Sequence, residues 1–576
     1  MPYEFNTGPT TGWRSVAVVT TPLREPLHGG FTYGRRLRHD TIDYALIHEW
    51  ITQCKQSHDG ACNDSTALSF DKTHFLLINC TGNPSEATIE SGDDGGDSLK
   101  EYAALSYVWG QSNDQPMPRL YPGSRLPAPV PRVVTDAMTV VTRLGYRYLW
   151  VDRYCIPQDQ TEASTAARHA QLGMMGRIYA NAAITIIAAA GDGPDHGLPG
   201  VSLTNPRIEQ PTLEFGDCLL TATVLPQQDI DDSRWATRGW TFQEGTLSCR
   251  RLIFTQRQTY FQCHNMQRVE TLSGTIESFY WKSMFTEEHR GSMYTDGRRE
   301  RSPTTLEETI VNYAGRAFMN DSDVLDAFRG ILDRYASRRE DQVSTFWGLP
   351  LYPTGKRVGE AINPLPGEGI HTCQALPPDT KAFALALTWE WECTLQLDRH
   401  LSFPSWTWLG WKRERPCLHH EVYGTFEQHA LDPIITHILS ISVKPTGNDL
   451  AASSLHRQRA EKGYPSLEVT GFLGILELEV ERFEEKDTQV LPHFAGRQRA
   501  SFPCLLMATG EDLNDYPEGR YDEACILVLK KLSGNDSYER LSCLSLGIGD
   551  NYEMKVTADT ILITDWVFKR TRIFLE

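Results

Sequence analysis

The chain has 576 residues, with 56 Lys and Arg against 74 Asp and Glu, a formal charge of −18. Its 40% hydrophobic and 23% charged content is that of a globular protein with a sizeable core and argues against wholesale disorder. The acidic balance argues against non-specific binding to nucleic acid or to an anionic membrane, both of which need a basic face.

At about 150 residues per domain, several structural units are expected. Residues 1–98 read as an N-terminal extension with one helix and one short strand. Its first forty residues, rich in Thr, Gly, Pro and Arg, are expected to be irregular, and the apolar patch Val16 to Val19 is too small for a signal segment. Helical spacing begins at Thr41, with Ile47, Trp50, Ile51 and Cys54 on one face and Asp40 as the expected N-cap. A strand at Phe75 to Ile78 precedes the acidic, Gly-rich loop Ser91 to Ser98.

Residues 99–265 form the most organised segment. Tyr102 to Val108 is an apolar strand ending in Trp109-Gly110. A helix follows with Val134, Ala137, Met138 and Val141 on one face and Gly145 at its C-terminal cap position. Tyr148 to Val151 is a second strand, ending at Asp152. A helix from Glu162 to Tyr179, a third strand from Ile184 to Ala189 and a helix starting near Trp240 complete the pattern. Apolar strands separated by helices predict βαβ units and a parallel sheet covered on both faces, an α/β fold.

Residues 266–345 read as a helical segment, with Val324, Leu325, Phe328 and Ile331 on one stripe. Residues 346–576 read as a β-rich region, with strands expected at Ile434 to Val443, Leu467 to Val480, Cys525 to Leu529 and Thr560 to Val567. The longest apolar run, Ala182 to Ala190, is about half of what a membrane-spanning helix needs, so a cytoplasmic location with no membrane partner is expected. The 13 cysteines include no CxxC pair and read as reduced thiols. Cys54, His58 and Cys62 come nearest to a metal cluster, but their spacing matches no common zinc pattern and a fourth ligand is missing, so no metal is assigned.

Three blocks in the organised segment resemble the fungal heterokaryon incompatibility (HET) domain. They are Tyr102-Ala-Ala-Leu-Ser-Tyr-Val-Trp-Gly110, Leu144 through Asp159 (LGYRYLWVDRYCIPQD), and Trp235 through Ser248 (WATRGWTFQEGTLS) followed by Arg251-Leu-Ile-Phe254. Met175-Gly-Arg-Ile-Tyr-Ala-Asn-Ala182 continues the family's order. Arg153-Tyr154 and Pro157 depart from it, standing where the family often has small residues and an acid. The resemblance implies a protein of allorecognition or innate immunity whose domain triggers programmed cell death. It also implies activity through self-association, with an incompatibility or immune-receptor partner.

HET domains are in turn distantly similar to TIR domains, which implies a TIR-like, flavodoxin-like parallel sheet. Leu105-Ser106-Tyr107 is similar to the first TIR strand and its loop, and Leu149 to Arg153 to the second strand and the loop that follows. Trp240-Thr-Phe-Gln-Glu244 has the W-x-x-x-E spacing on which some TIR enzymes place a catalytic glutamate. This implies NAD+ as a substrate rather than a cofactor, with Glu244 catalytic and Ser106, Tyr107, Trp109, Gly110, Asp152, Arg153 and Trp240 binding substrate. Cleavage of the nicotinamide–ribose bond passes through an oxocarbenium-like transition state that one carboxylate stabilises. Ser106, Trp109, Asp152 and Arg153 follow strand C-termini, where open α/β sheets bind ligands. The alternative is a non-catalytic death-signalling and self-association module, in which Glu244 pairs with Arg238 and the tryptophans are core.

Overall fold

In the computed structural model, the residues described are 16–22, 34–58, 62, 74–93, 99–110, 117–159, 161–216, 218–224, 226–273, 306–337, 343–351, 380–391, 397–413, 426–427, 435–444, 466–482, 491–511, 522–533, 536–547, 554–563 and 566–576. The chain forms two units, Met1–Pro303 with Arg329–Ile331, and Thr304–Phe328 with Leu332–Glu576.

The first unit opens on a strand, β1 (Val16–Pro22), where an irregular segment is expected from composition. Its run of Val and Thr favours extended backbone, and it pairs antiparallel with β8 (Cys218–Val224), which also pairs with β7 (Thr212–Phe215). Helix α1 (Tyr44–Ser57) buries Leu46, Ile47, Trp50, Ile51 and Cys54. Its cap is Asp43 rather than Asp40: the Asp43 carboxylate accepts the Leu46 N–H at 3.0 Å, whereas Asp40 is drawn to Arg38.

Strands β2 (Leu76–Asn79), β3 (Thr88–Ser91), β4 (Tyr102–Ser106), β5 (Tyr148–Trp150), β6 (Ile184–Ala188), β9 (Arg250–Phe254), β10 (Thr259–Cys263) and β11 (Gln267–Val269) form one eight-stranded sheet, in the order β11-β10-β9-β6-β4-β5-β2-β3. Its centre is parallel: β4 pairs with β5 and β6, and β6 with β9. Numbered along the chain, these four parallel strands lie in the order 2-1-3-4. The flanking strands are antiparallel, so an α/β centre carries antiparallel additions on both sides.

Between the parallel strands run α2 (Arg132–Arg143), the short α3 (Asp152–Cys155), α4 (Glu162–Asn181), α5 (Pro226–Asp231) and α6 (Gly239–Leu247). Helix α2 buries Val133, Val134, Ala137, Met138, Val140 and Val141, and Gly145 follows it with φ +83°, the left-handed conformation that closes a helix. Strands β4 and β6 are buried at every position, as strands covered on both faces must be. A salt bridge between Arg207 and Glu270, each side chain at most 2% exposed, ties the loop before β7 to the residue after β11.

In the second unit, α7 (Leu306–Ala314) and α8 (Asp326–Ser337) bring Tyr313 and Phe328 together with ring centroids 4.5 Å apart. Trp408 meets both rings edge-on. The tryptophan-rich segment is core: Trp389, Trp406, Trp408 and Trp411 are buried, and the indole N–H groups of Trp389, Trp408 and Trp411 donate to backbone carbonyls.

Five long strands then close on themselves. Ser466–Glu479 pairs with Arg499–Glu511, that strand with Asp522–Lys531, and that with Ser537–Gly547. Ser537–Gly547 meets Trp566–Leu575 in parallel, and Trp566–Leu575 returns to Ser466–Glu479. The result is a barrel filled by Phe472, Leu476, Phe502, Leu506, Ile526, Val528 and Phe568, among others.

Candidate functional site

The centre of the first unit gathers polar side chains past the C-terminal ends of its parallel strands. Ser106 is the last residue of β4, Asp152 follows β5 and opens α3, and Glu244 lies in the second turn of α6. These three come from segments far apart in sequence and are joined through the sheet.

A hydrogen-bonded chain runs through the group. The Trp235 indole N–H donates to Ser106 Oγ at 2.7 Å, and the Ser106 hydroxyl donates to Glu244 Oε2 at 2.5 Å. Trp235 and Ser106 are fully buried and Glu244 is 4% exposed. The Tyr179 hydroxyl donates to the Leu105 carbonyl at 3.1 Å and also reaches Glu244. Glu244 therefore points inward, not into a surface salt bridge.

Asp152 forms a second node. Its Oδ2 accepts the Trp109 indole N–H at 2.8 Å, its Oδ1 accepts the Arg153 backbone N–H at 2.7 Å, and the Arg153 guanidinium lies 5.9 Å from the centre of the Trp109 ring. Trp109, Asp152 and Arg153 are half-buried, so they form a rim beside the fully buried Ser106.

The two carboxyls sense each other. Burial, with the Asp152 charge adding to it, pushes Glu244 up to about 8; the Ser106 hydrogen bond, Arg238 and Tyr179 pull the other way. Asp152 is itself pushed up to about 6 by desolvation, against the Arg153 N–H, the Trp109 indole and the charges of Arg238 and Arg153. Both carboxyls are thus held above the ordinary carboxylate range, Glu244 the more strongly, and they titrate as a pair.

Tyr107 is buried beside this group with its hydroxyl unpartnered, and burial with the Asp152 charge holds that hydroxyl well above its ordinary value. Arg153 Nε is likewise buried without a hydrogen-bond partner. Gly110 follows Trp109 with φ +77°, and a Cβ there would lie 2.8 Å from Pro194 Cδ, so the chain leaves the rim through a position that favours glycine. Trp240 is half-buried and one helical turn before Glu244 on α6.

Of the residues singled out from sequence, Ser106, Trp109, Asp152, Arg153 and Glu244 are brought together, with Tyr107 beside them. Trp235 and Tyr179 were not singled out. Trp235 opens the third sequence block, and Tyr179 lies within the Met175–Ala182 segment that continues the family's order, without a role assigned to it.

A second group lies at the end of α1. Cys54, His58 and Cys62 meet Cys263, the last residue of β10, with their ligand atoms all within 4.8 Å of one another. A distant strand thus places a fourth sulfur or nitrogen atom beside the three that are close in sequence.

An α/β domain with one buried and one half-buried acid at the carboxyl edge of its parallel strands is the class of protein defined by this geometry. Residues 102–244 match the family model described as heterokaryon incompatibility protein (HET), so this segment carries the HET domain expected from the three sequence blocks. No curated protein and no solved structure gives a match. Among the described residues, no helix is long and apolar enough to cross a membrane.

Proposed function

We propose that this HET domain triggers cell death by hydrolysing the nicotinamide–ribose bond of NAD+, with Glu244 as the catalytic carboxylate. The observation that carries the reading is the buried Glu244 carboxyl, held by the Ser106 hydroxyl at the end of β4 and raised by burial and by the charge of half-buried Asp152. The 2-1-3-4 order of the parallel strands agrees with the first four places of the 2-1-3-4-5 order of flavodoxin-like sheets, whose ligands bind where strands 1 and 3 part, and so supports the reading. Ser106 stands at the carboxyl end of strand 1 there. The likeness of the W-x-x-x-E segment to TIR domains points the same way.

The chemistry follows from charge. A cationic nicotinamide brought against Glu244 favours its ionised form, so binding expels the proton and leaves a carboxylate facing the ribose. The C–N bond breaks with its electron pair going to nicotinamide, which leaves neutral and needs no general acid. The carboxylate stabilises the oxocarbenium-like ribosyl centre. Water adds at C1′ and loses its proton to the acid pair. The unpartnered Tyr107 hydroxyl and Arg153 Nε are donors available to ribose and phosphate oxygens.

Glu244 is 4% exposed, so substrate reaches it after the half-buried rim of Trp109, Asp152 and Arg153 opens. Self-association, driven by an incompatibility or immune-receptor partner, is the proposed trigger. The test is to force the full-length chain into oligomers with a fused dimerising tag, add NAD+ and quantify nicotinamide. Release above a Glu244→Gln control is expected. No release from a chain that still kills cells overturns the enzymatic reading.

That same low exposure favours a second reading, a death-signalling module acting through contacts alone. It expects killing to survive Glu244→Ala and to fail when the loop from Arg153 to Gln158 is altered.

A further inference from the structure

We infer that Cys54, His58, Cys62 and Cys263 form a structural zinc site that pins helix α1 to the end of strand β10. The four ligand atoms lie within 4.8 Å of one another. Around a tetrahedral zinc, with Zn–S about 2.3 Å and Zn–N about 2.0 Å, ligand atoms stand roughly 3.5–3.8 Å apart, so the largest separation needs to contract by about 1.0–1.3 Å at most. Cys263 Sγ and His58 Nδ1 are already 3.4 Å apart.

The chain delivers these ligands by simple means. Cys54 and His58 are four residues apart at the C-terminal end of α1, which places both on one face. Cys263 arrives at the end of β10, 205 residues after His58. Three of the four ligands are buried, Cys54 at 0%, Cys62 at 4% and Cys263 at 2% exposed. A site closed by four protein ligands and shut from water is structural in type; a catalytic zinc keeps an open position.

The surroundings also suit a metal. Three thiolates and a neutral imidazole around Zn2+ leave a net charge of −1 that needs a cation nearby. Arg250, itself 7% exposed, donates from Nε to Cys54 Sγ at 3.2 Å and from Nη2 to the Cys62 carbonyl at 2.6 Å. A neutral thiol is a weak acceptor for a buried guanidinium, whereas a metal-bound thiolate is a strong one. The Cys249 thiol donates to the same Cys62 carbonyl at 3.4 Å, holding the backbone of that ligand from a second side.

This inference does not rest on the NAD+ reading, and its test has no enzymatic readout. The full-length chain is expressed with zinc in the medium and purified under reducing conditions, and its metal is measured by inductively coupled plasma mass spectrometry. About one zinc per chain is expected, falling at least tenfold in a Cys54→Ser, Cys62→Ser, Cys263→Ser triple variant. Replacing zinc by cobalt should give the intense thiolate-to-metal charge-transfer and visible bands of a tetrahedral sulfur-rich site. That spectrum decides the matter on the wild-type chain should the triple variant fail to fold. A chain free of zinc overturns the inference, as does a disulfide linking any two of Cys54, Cys62, Cys249 and Cys263 in peptide mapping of chain alkylated at cell lysis, before any reductant is added. Zinc retained in full by a folded triple variant also overturns it.

Discussion

Replacing Glu244 by Gln keeps the shape of the side chain and fixes it in a neutral form, so it isolates what the buried proton does for stability. In the folded chain Glu244 is raised from 4.5 to about 8. Between those values the folded state holds a proton that the unfolded state has lost, so stability falls as pH rises. The contribution is whole below pH 4.5 and is lost as pH climbs through about 8. One proton corresponds to about 1.4 kcal/mol per pH unit, and the interval gives about 5 kcal/mol as a ceiling. Asp152, raised to about 6, titrates inside the same window and shares part of it. Chemical denaturation of the wild type and of Glu244→Gln should therefore give nearly equal stabilities at pH 5. The variant should gain on the wild type with each step towards pH 8, and the difference should level off above it. A difference that stays constant from pH 5 to 9 refutes a buried, protonated Glu244.

Three further outcomes follow from the same geometry. Ser106→Ala removes the hydroxyl that joins the Trp235 N–H to Glu244, and should cost about 2–4 kcal/mol in denaturant unfolding while raising the Glu244 midpoint further. Asp152→Asn removes the charge that adds to the effect of burial, and should lower the Glu244 midpoint as followed by the infrared carboxylic-acid band. Glu270→Gln strands the buried Arg207 guanidinium and should destabilise the first unit by about 3–5 kcal/mol, read as a lowered unfolding midpoint.

The parallel strands were legible because strands covered on both faces read as unbroken apolar runs: Tyr102–Ser106 and Ile184–Ala188 stand out by composition alone. Strand Val16–Pro22 did not, since it lies in a Thr- and Pro-rich stretch and has its partner some two hundred residues away in Cys218–Val224. The site shows the same division. Ser106, Asp152 and Glu244 were found because each sits in a distinctive block. That Ser106 and Glu244 touch, 138 residues apart, is a property of the sheet and of no local pattern. Cys263 marks the limit most plainly: spacing rules for metal sites read neighbours, and this ligand belongs to a strand that only folding brings to Cys54.

The closure of the barrel in the second unit also sets a timetable. Strand Ser466–Glu479 needs Trp566–Leu575 beside it, with Leu467 opposite Leu575. During synthesis its open edge therefore waits for on the order of a hundred further residues to emerge, and such long-range pairing is slow to nucleate. Throughout that interval the stretch from Leu467 to Leu473 of this alternating apolar strand offers unpaired backbone to any neighbouring nascent chain. The yield of folded protein in a cell is thus tied to how crowded its ribosomes are, and slower translation or chaperone cover over this stretch should raise it more than any change made in the finished core.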